Sequence, residues 1–123
     1  MRMEREPGAA GPIVAGFSGT GFRIGEAVFP ALLMTTAEAR PWSPPPLAAL
    51  SPADLDALVA ARPEFILLGT GNALARPPAP LIAALEAKNI GIEPMDSRAA
   101  ARAWGVLRSE GREIAAALYP LDA

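Results

Sequence analysis

Residues 65–120 read FILLGTGNALARPPAPLIAALEAKNIGIEPMDSRAAARAWGVLRSEGREIAAALYP, and this stretch decides the fold. It opens with a continuous apolar run, Phe65–Leu68, of the kind expected for a strand buried on both faces. The pattern then predicts a helix near Pro80, a strand over 90–94, a helix to about Ser109 and a final strand over 114–119. Strands that alternate with helices in this way indicate a mixed α/β sheet.

The first third of the chain predicts β structure without intervening helices. Residues 13–35 hold short runs of β-compatible residues separated by glycines, which indicates a β meander. Pro30 lies inside one of these runs and predicts a bulge, a break or an edge position. A proline-rich connector follows at residues 40–46, and we expect its Trp42 to cover one end of the core.

A helix is predicted directly after the connector. Ser51 and Asp54 form a pattern like a capping box, and Pro52 suits the first helical position. Arg62-Pro63 ends the helix because the residue before a proline avoids the helical conformation.

These elements predict one α/β domain over residues 1–123, a length sufficient for a single core. Its architecture is expected to have three layers, with a mixed central sheet, flanking helices and an N-terminal β meander. Residues 1–11 are charged and then rich in glycine and proline, and we expect them to form a frayed arm.

The composition excludes several classes of chemistry. The chain has no histidine and no cysteine, which removes disulfides, thiol nucleophiles, Cys/His zinc sites and Ser-His-Asp triads. No catalytic residues, metal ligands or cofactors are therefore predicted. The net charge of −2 argues against nucleic-acid binding. The apolar runs are too short to span a bilayer, so we expect a cytoplasmic protein that does not insert into membranes.

One candidate site stands out at the end of the first buried strand. Gly69-Thr70-Gly71 follows the carboxyl end of that strand, and in open α/β sheets ligands bind in the crevice outside such strand ends. The N–H groups of these three residues could form an anion-binding nest. The helix that begins at Asp96 or Ser97 would add a positive dipole end, and Arg102 a bidentate donor. A dinucleotide or Walker-type site is excluded, because no helix and no lysine directly follow Gly71.

A purely structural interpretation of the same residues stays open. The glycines would allow a tight turn with Gly71 at positive φ, and Asp96 and Ser97 would only cap the helix. Arg102 would pair with Glu93 or Glu110. Gly105 inside the same helix would be explained by a neighbouring element that packs closely against it.

The chain resembles the family of mitochondrial respiratory complex I assembly factor 3 and the adipogenesis-associated domain proteins. The resemblance covers nearly the whole chain and is looser in the first half, at Gly19–Ile24 and Trp42. The matching residues of the second half are Leu67-Leu68-Gly69-Thr70-Gly71, Pro77-Pro78, Leu81, Gly91-Ile92-Glu93, Met95-Asp96-Ser97, Ala99-Ala100, Arg102, Val106-Leu107, Glu110-Gly111-Arg112 and Ala116-Ala117-Leu118.

This resemblance implies a three-layer fold and a non-enzymatic accessory or assembly role through contacts with a protein partner, with self-association left open. The family pattern Ala-Ala-Cys-Arg-Thr-Tyr-Asn is replaced here by Ala-Ala-Ala-Arg-Ala-Trp-Gly at residues 99–105. Its Cys, Thr and Asn are lost, and Arg102 remains. The alternative function is small-anion binding, or a cryptic enzyme, at the Gly69–Gly71 loop and Arg102.

Overall fold

A computed structural model describes residues 11–123, so the predicted arm at 1–11 lies outside the described residues except for Gly11. The chain first forms a small antiparallel meander, the predicted β segment. Its strands are β1 (Gly16–Ser18), β2 (Gly21–Ile24) and β3 (Ala27–Phe29), which form a sheet in the order β1-β2-β3. The run is broken at Pro30, as one of the predicted alternatives has it: the strand before it ends at Phe29, and the next strand belongs to a different sheet.

The central sheet is five-stranded and mixed, as predicted. Its strands are β4 (Leu32–Met34), β5 (Ala39–Pro41), β6 (Phe65–Gly69), β7 (Gly91–Met95) and β8 (Ala115–Leu118), in the order β5-β4-β8-β6-β7. The strand β6 runs parallel to both of its neighbours, β7 and β8, whereas β4 runs antiparallel to β5 and β8.

The helices lie between the strands as the sequence predicts. They are a 3₁₀ turn at Leu47–Ala49, a second at Pro52–Leu55 that leads into α1 (Asp56–Ala60), then α2 (Ala79–Glu86) and α3 (Ser97–Ser109). The predicted capping box is present, since the Ser51 backbone N–H donates to Asp54 Oδ2 over 2.9 Å. The first predicted helix is therefore confirmed, although its first turn is 3₁₀.

Two apolar layers cover the two faces of the central sheet. On β6 the side chains alternate, so Ile66 and Leu68 join the core with α1 and α2, and Leu67 joins the core with α3 and the meander. All three side chains are fully buried. Trp104 of α3 fills the second core and donates its indole N–H to the Pro12 carbonyl over 2.9 Å. The three predicted layers are thus α1 and α2, the central sheet, and α3 with the meander.

The proline-rich connector is held against the first core by aromatic contacts. Trp42 packs edge-on against Tyr119 with ring centroids 5.2 Å apart, as its expected role at the end of the core requires. The Tyr119 hydroxyl donates to the Pro45 carbonyl over 2.7 Å. Burial raises the pKa of Tyr119 to about 12, so the hydroxyl stays a neutral donor at ordinary pH.

Both outer strands of the central sheet carry a proline. In β7 the Gly91 N–H donates to the Glu64 carbonyl, and the Met95 carbonyl accepts from Thr70, so residues 91, 93 and 95 pair with β6. Pro94 therefore lies where an N–H would point outward from the edge. Pro41 ends β5 at the opposite edge. These prolines hinder the addition of a further strand.

Candidate functional site

The loop after β6 and the first turn of α3 are joined by hydrogen bonds at the carboxyl end of the sheet. The Gly71 N–H donates to Ser97 Oγ over 2.8 Å, and the Ser97 N–H donates back to the Gly71 carbonyl over 2.8 Å. The Ser97 hydroxyl in turn donates to the Tyr119 carbonyl over 2.7 Å. Ser97 is fully buried, so this hydroxyl links loop, helix and the end of β8 away from water.

The two glycines of the loop are required by close backbone contacts. A Cβ at Gly69 would lie 2.8 Å from Ser97 Oγ and 2.9 Å from Ser97 Cα. Gly71 adopts a φ of 110°, and a Cβ there would collide with the Ala123 carbonyl. The expected positive φ and tight turn at Gly71 are therefore confirmed.

Thr70 shapes the rest of the loop. Its hydroxyl oxygen lies 2.7 Å from the Ala73 carbonyl, to which it donates, and accepts from the Ala75 N–H over 3.0 Å. Its backbone N–H donates to the Met95 carbonyl over 2.8 Å. Thr70 is 7% exposed, so its polar atoms serve the fold.

The anion nest, one of the two interpretations that the sequence leaves open, is not formed, and that interpretation is therefore corrected. The N–H groups of Thr70, Gly71 and Asn72 donate to Met95, Ser97 and Ala123 respectively. A nest needs successive N–H groups that converge on one point and lack other acceptors. Asp96 acts as the predicted N-cap, since its Oδ1 accepts from the Ala99 N–H over 2.8 Å.

Arg98, and not Arg102, is the arginine beside this loop. A cavity of about 300 Å³ is lined by Gly71, Asn72, Asp96, Arg98 and Leu121. The Arg98 guanidinium lies 4.4 Å from the centroid of the Phe17 ring in the meander, a cation–π contact. Arg102 lies one turn further along α3, and it is the packing of the distant Phe17 against α3 that separates the two arginines.

Arg102 neither lies at the loop as an anion donor nor forms the ion pair that the structural interpretation expects. Neither Glu93 nor Glu110 forms an ion pair with it, and the described part of the chain offers it no other carboxylate at ion-pair distance. Its side chain is exposed on the outer side of α3. Gly105 lies on the same side, and apart from its chain neighbours and the backbone of α3 itself no described atom comes within 4 Å of where its Cβ would be. The expected close neighbour at Gly105 was wrong.

The chemistry of the cavity opposes an anion as much as it favours one. Asp96 lines the same space as Arg98, so its negative charge would repel a bound carboxylate or phosphate. Within residues 11–123 no group of three or more carboxylates converges in a way that could hold a metal ion. Over the same range no helix is long and apolar enough to cross a membrane.

The fold and the site together define a small three-layer α/β domain in which the polar groups of the loop after β6 form hydrogen bonds within the protein. The family model described as protein of unknown function (DUF498/DUF598) matches residues 14–119. The chain belongs to this family. An uncharacterised protein of Rhodobacter capsulatus is 40% identical over 121 residues, which cover 95% of this chain and 92% of that protein.

Solved structures share the fold over nearly the whole chain. A Xanthomonas campestris protein studied by NMR has a TM-score of 0.79 at 32% identity, with 98% of this chain and 93% of that chain covered. A crystal structure from Bordetella parapertussis has a TM-score of 0.82 at 27% identity, with coverages of 90% and 97%. A Bordetella pertussis protein, described as a Mth938-like domain, has a TM-score of 0.80 at 23% identity with coverages of 99% and 94%, a likeness of fold alone.

Proposed function

We propose that this protein is a non-enzymatic accessory protein that binds a protein partner through the outer side of α3. We define this α3 surface by Arg98, Arg102, Gly105 and Val106. Arg98, Arg102 and Val106 recur at intervals of four, and Gly105 follows Arg102 by three, so all four share one side of the helix, opposite the buried Trp104. The observation that carries the proposal is the 59% exposure of the Val106 side chain, one turn from Arg102.

The charge and composition of the α3 surface suggest the chemistry of the partner. No carboxylate among residues 11–123 forms an ion pair with Arg98 or Arg102. Arginine beside an apolar side chain is typical of the centre of protein interfaces. A partner with acidic side chains around a small apolar contact would therefore complement this surface.

The edges of the central sheet favour binding of a partner to a helix surface over binding by addition of a partner strand to the sheet. Pro94 removes the outward N–H of β7, and Pro41 lies at the end of β5. A partner strand would lose a ladder hydrogen bond at each of these positions. The exposed side of α3 has no such obstacle.

The site residues predicted from the sequence take two roles in this proposal. Arg102 is the contact residue. Gly71, Asp96 and Ser97 hold the first turn of α3 in place through hydrogen bonds. Gly69 allows the close approach of Ser97, and Thr70 shapes the loop through its bonds to Ala73, Ala75 and Met95. The resemblance to assembly factors adds that the partner would belong to a larger complex, and we place the protein in the cytoplasm.

Cross-linking in the native cell, followed by recovery of the tagged protein, tests this proposal. We expect one specific partner to be recovered with wild type and with the control Arg76→Glu. This control changes a charge in the loop between β6 and α2 and not on the α3 surface. Recovery should fall tenfold or more, roughly 1.4 kcal/mol or more of binding free energy, with Arg102→Glu or Val106→Asp. Each variant should keep the wild-type melting temperature, since both side chains are exposed.

Two outcomes would contradict the accessory role. One is recovery of the same partner at the wild-type level by both α3 variants. The other is turnover in a panel of hydrolase and transferase substrates that is abolished by Asp96→Asn, with no specific partner recovered. The second outcome would promote the alternative of a cryptic enzyme at the Gly69–Gly71 loop.

A further inference from the structure

A second cavity lies at the opposite, amino end of the parallel strands β6 and β7. It has a volume of about 370 Å³, within the range of small-ligand sites. It lies where the chain leaves α1 to enter β6 and where it leaves α2 to enter β7. Its lining residues are Val59, Arg62, Pro63, Lys88, Asn89 and Ile90, none of which is acidic.

Two residues of this cavity have a left-handed backbone conformation, and for one of them, Arg62, that conformation is costly. Within residues 11–123, Arg62 and Asn89 are the non-glycine residues with positive φ, at 53° and 62°. Both line this cavity. Asparagine adopts the left-handed conformation readily, but arginine does so at a cost that glycine would avoid. Strain of this kind is typical of positions where the side chain serves a function.

The two cations of the cavity have no carboxylate at ion-pair distance in the described part of the chain. Glu64, the acidic residue nearest to Arg62 in sequence, is occupied by Arg112, whose guanidinium lies 2.9 Å from Glu64 Oε1. The side chains of Arg62 and Lys88 are exposed and so are free to turn into the cavity.

The helix dipoles explain only part of this arrangement. Arg62 and Lys88 follow the carboxyl ends of α1 and α2, where a positive charge is favourable. This effect accounts for cations near these helix ends. It does not account for an arginine in the left-handed position itself, where glycine would terminate the helix better. Nor does it account for the cavity between the two cations.

We infer that this cavity binds a small organic phosphate monoester. The Arg62 guanidinium suits bidentate contact with phosphate oxygens, and the Lys88 ammonium adds a second positive charge. The Asn89 amide adds a neutral donor. Pro63 and Ile90 are buried and, with Val59, supply an apolar wall for the organic part. The site is separate from the α3 surface and does not depend on the proposed function.

Backbone-amide NMR with phenyl phosphate as the probe tests this inference. We expect saturable chemical-shift changes at the amides of residues 62, 64 and 88–90, since Pro63 itself has no amide proton. The dissociation constant should be about 1 mM or tighter. Phenol and inorganic phosphate, titrated separately, should each bind at least tenfold more weakly, because each lacks one half of the match. Arg76→Ala should leave the affinity for phenyl phosphate unchanged.

Two cavity variants separate binding from stability. Lys88→Gln and Arg62→Gly should each lower the affinity for phenyl phosphate tenfold or more. Arg62→Gly should also keep or raise the melting temperature, since glycine relieves the left-handed strain. Loss of binding in a variant that is at least as stable as wild type would support a site that is retained for its ligand.

The inference is overturned by any of three results. The first is the absence of saturable shifts at the cavity with phenyl phosphate. The second is binding of phenyl phosphate that persists at the wild-type level in both cavity variants. The third is equal affinity for inorganic phosphate and phenyl phosphate, which would remove the role of the apolar wall. Because Arg102 takes no part, a failed partner experiment leaves this result intact.

Discussion

Replacing Gly71 with alanine tests whether the loop after β6 is held by the shape of its backbone. Gly71 has a φ of 110°. A Cβ at this position would lie 2.8 Å from the Ala123 carbonyl carbon and closer still to its oxygen. Both obstacles are backbone features, so no side chain can rotate aside to relieve them.

The cost of Gly71→Ala can be built from two parts. A residue other than glycine in the left-handed region costs about 1–2 kcal/mol. Displacement of Ala123 would also break its 3.1 Å hydrogen bond from the Asn72 N–H, worth about 1 kcal/mol. We therefore expect the free energy of unfolding to fall by about 2–3 kcal/mol. In a domain of this size the melting temperature should fall by roughly 6–15 °C.

Gly105→Ala is the matched control, because it adds the same methyl group where the structure leaves room. Apart from the chain neighbours of Gly105 and the backbone of α3 itself, no atom of the described residues lies within 4 Å of that Cβ position. Alanine inside α3 should raise the free energy of unfolding by about 0.5–1 kcal/mol through helix propensity. Urea unfolding at a single temperature, with linear extrapolation, measures both variants against wild type.

The signs of the two changes decide the outcome. Opposite signs are expected from the geometry of the two glycines. If Gly71→Ala is within about 0.5 kcal/mol of wild type, a size usual for neutral surface changes, the loop is an ordinary connector. If Gly105→Ala destabilises, a group packs against the outer side of α3.

Three further changes test other parts of the structure. Ser97→Ala leaves the Gly71 N–H and the Tyr119 carbonyl without their buried partner, so we expect a loss of about 2–3 kcal/mol in urea unfolding; an unchanged midpoint would show that the hydroxyl link is dispensable. Leu67→Asp places a charge at a fully buried position of β6 and should abolish cooperative unfolding in thermal circular dichroism; a wild-type melt would contradict the central placement of β6. The hydrogen bond from Arg112 and the Glu113 N–H lower the pKa of Glu64, so its stabilising effect is present above the unfolded pKa and is lost as pH falls through the lower folded pKa. The melting-temperature difference between wild type and Glu64→Gln should therefore shrink as pH falls below roughly 4, and a difference that grows there would contradict this linkage.

Local features of the fold were predictable because their causes lie within a few residues. The apolar run at 65–68 bounded by glycine gives β6, and the Ser51–Asp54 pattern gives the start of a helix. Asp96 caps α3 for the same reason, since its side chain reaches an N–H three residues on. Each of these depends on short-range sterics and hydrogen bonding that a sequence carries explicitly.

The partners of the loop were not predictable, because they come from strands far apart in sequence. The insertion of β8 between β4 and β6 brings the Tyr119 carbonyl to the Ser97 hydroxyl. With its hydrogen directed to Tyr119, the Ser97 hydroxyl accepts the Gly71 N–H, which is then not available to an anion. The same long-range packing places Phe17 under Arg98, which distinguishes that residue from Arg102. A sequence shows that both arginines share one side of α3 but cannot show which one faces the loop.

The two ends of the parallel strands differ in how their polar groups are used, and this difference bears on where function lies. At the carboxyl end, where open α/β sheets favour ligands, the loop N–H groups and the Ser97 hydroxyl all bond within the protein. At the amino end, about 13 Å away along β6, two cations line an open cavity, and one of them, Arg62, has a positive φ. Buried polar groups that satisfy one another stabilise a fold, whereas a non-glycine residue in the left-handed region costs free energy. A feature that costs stability persists where a ligand or partner compensates for it, so the amino end is the better place to seek a small-molecule site in this protein.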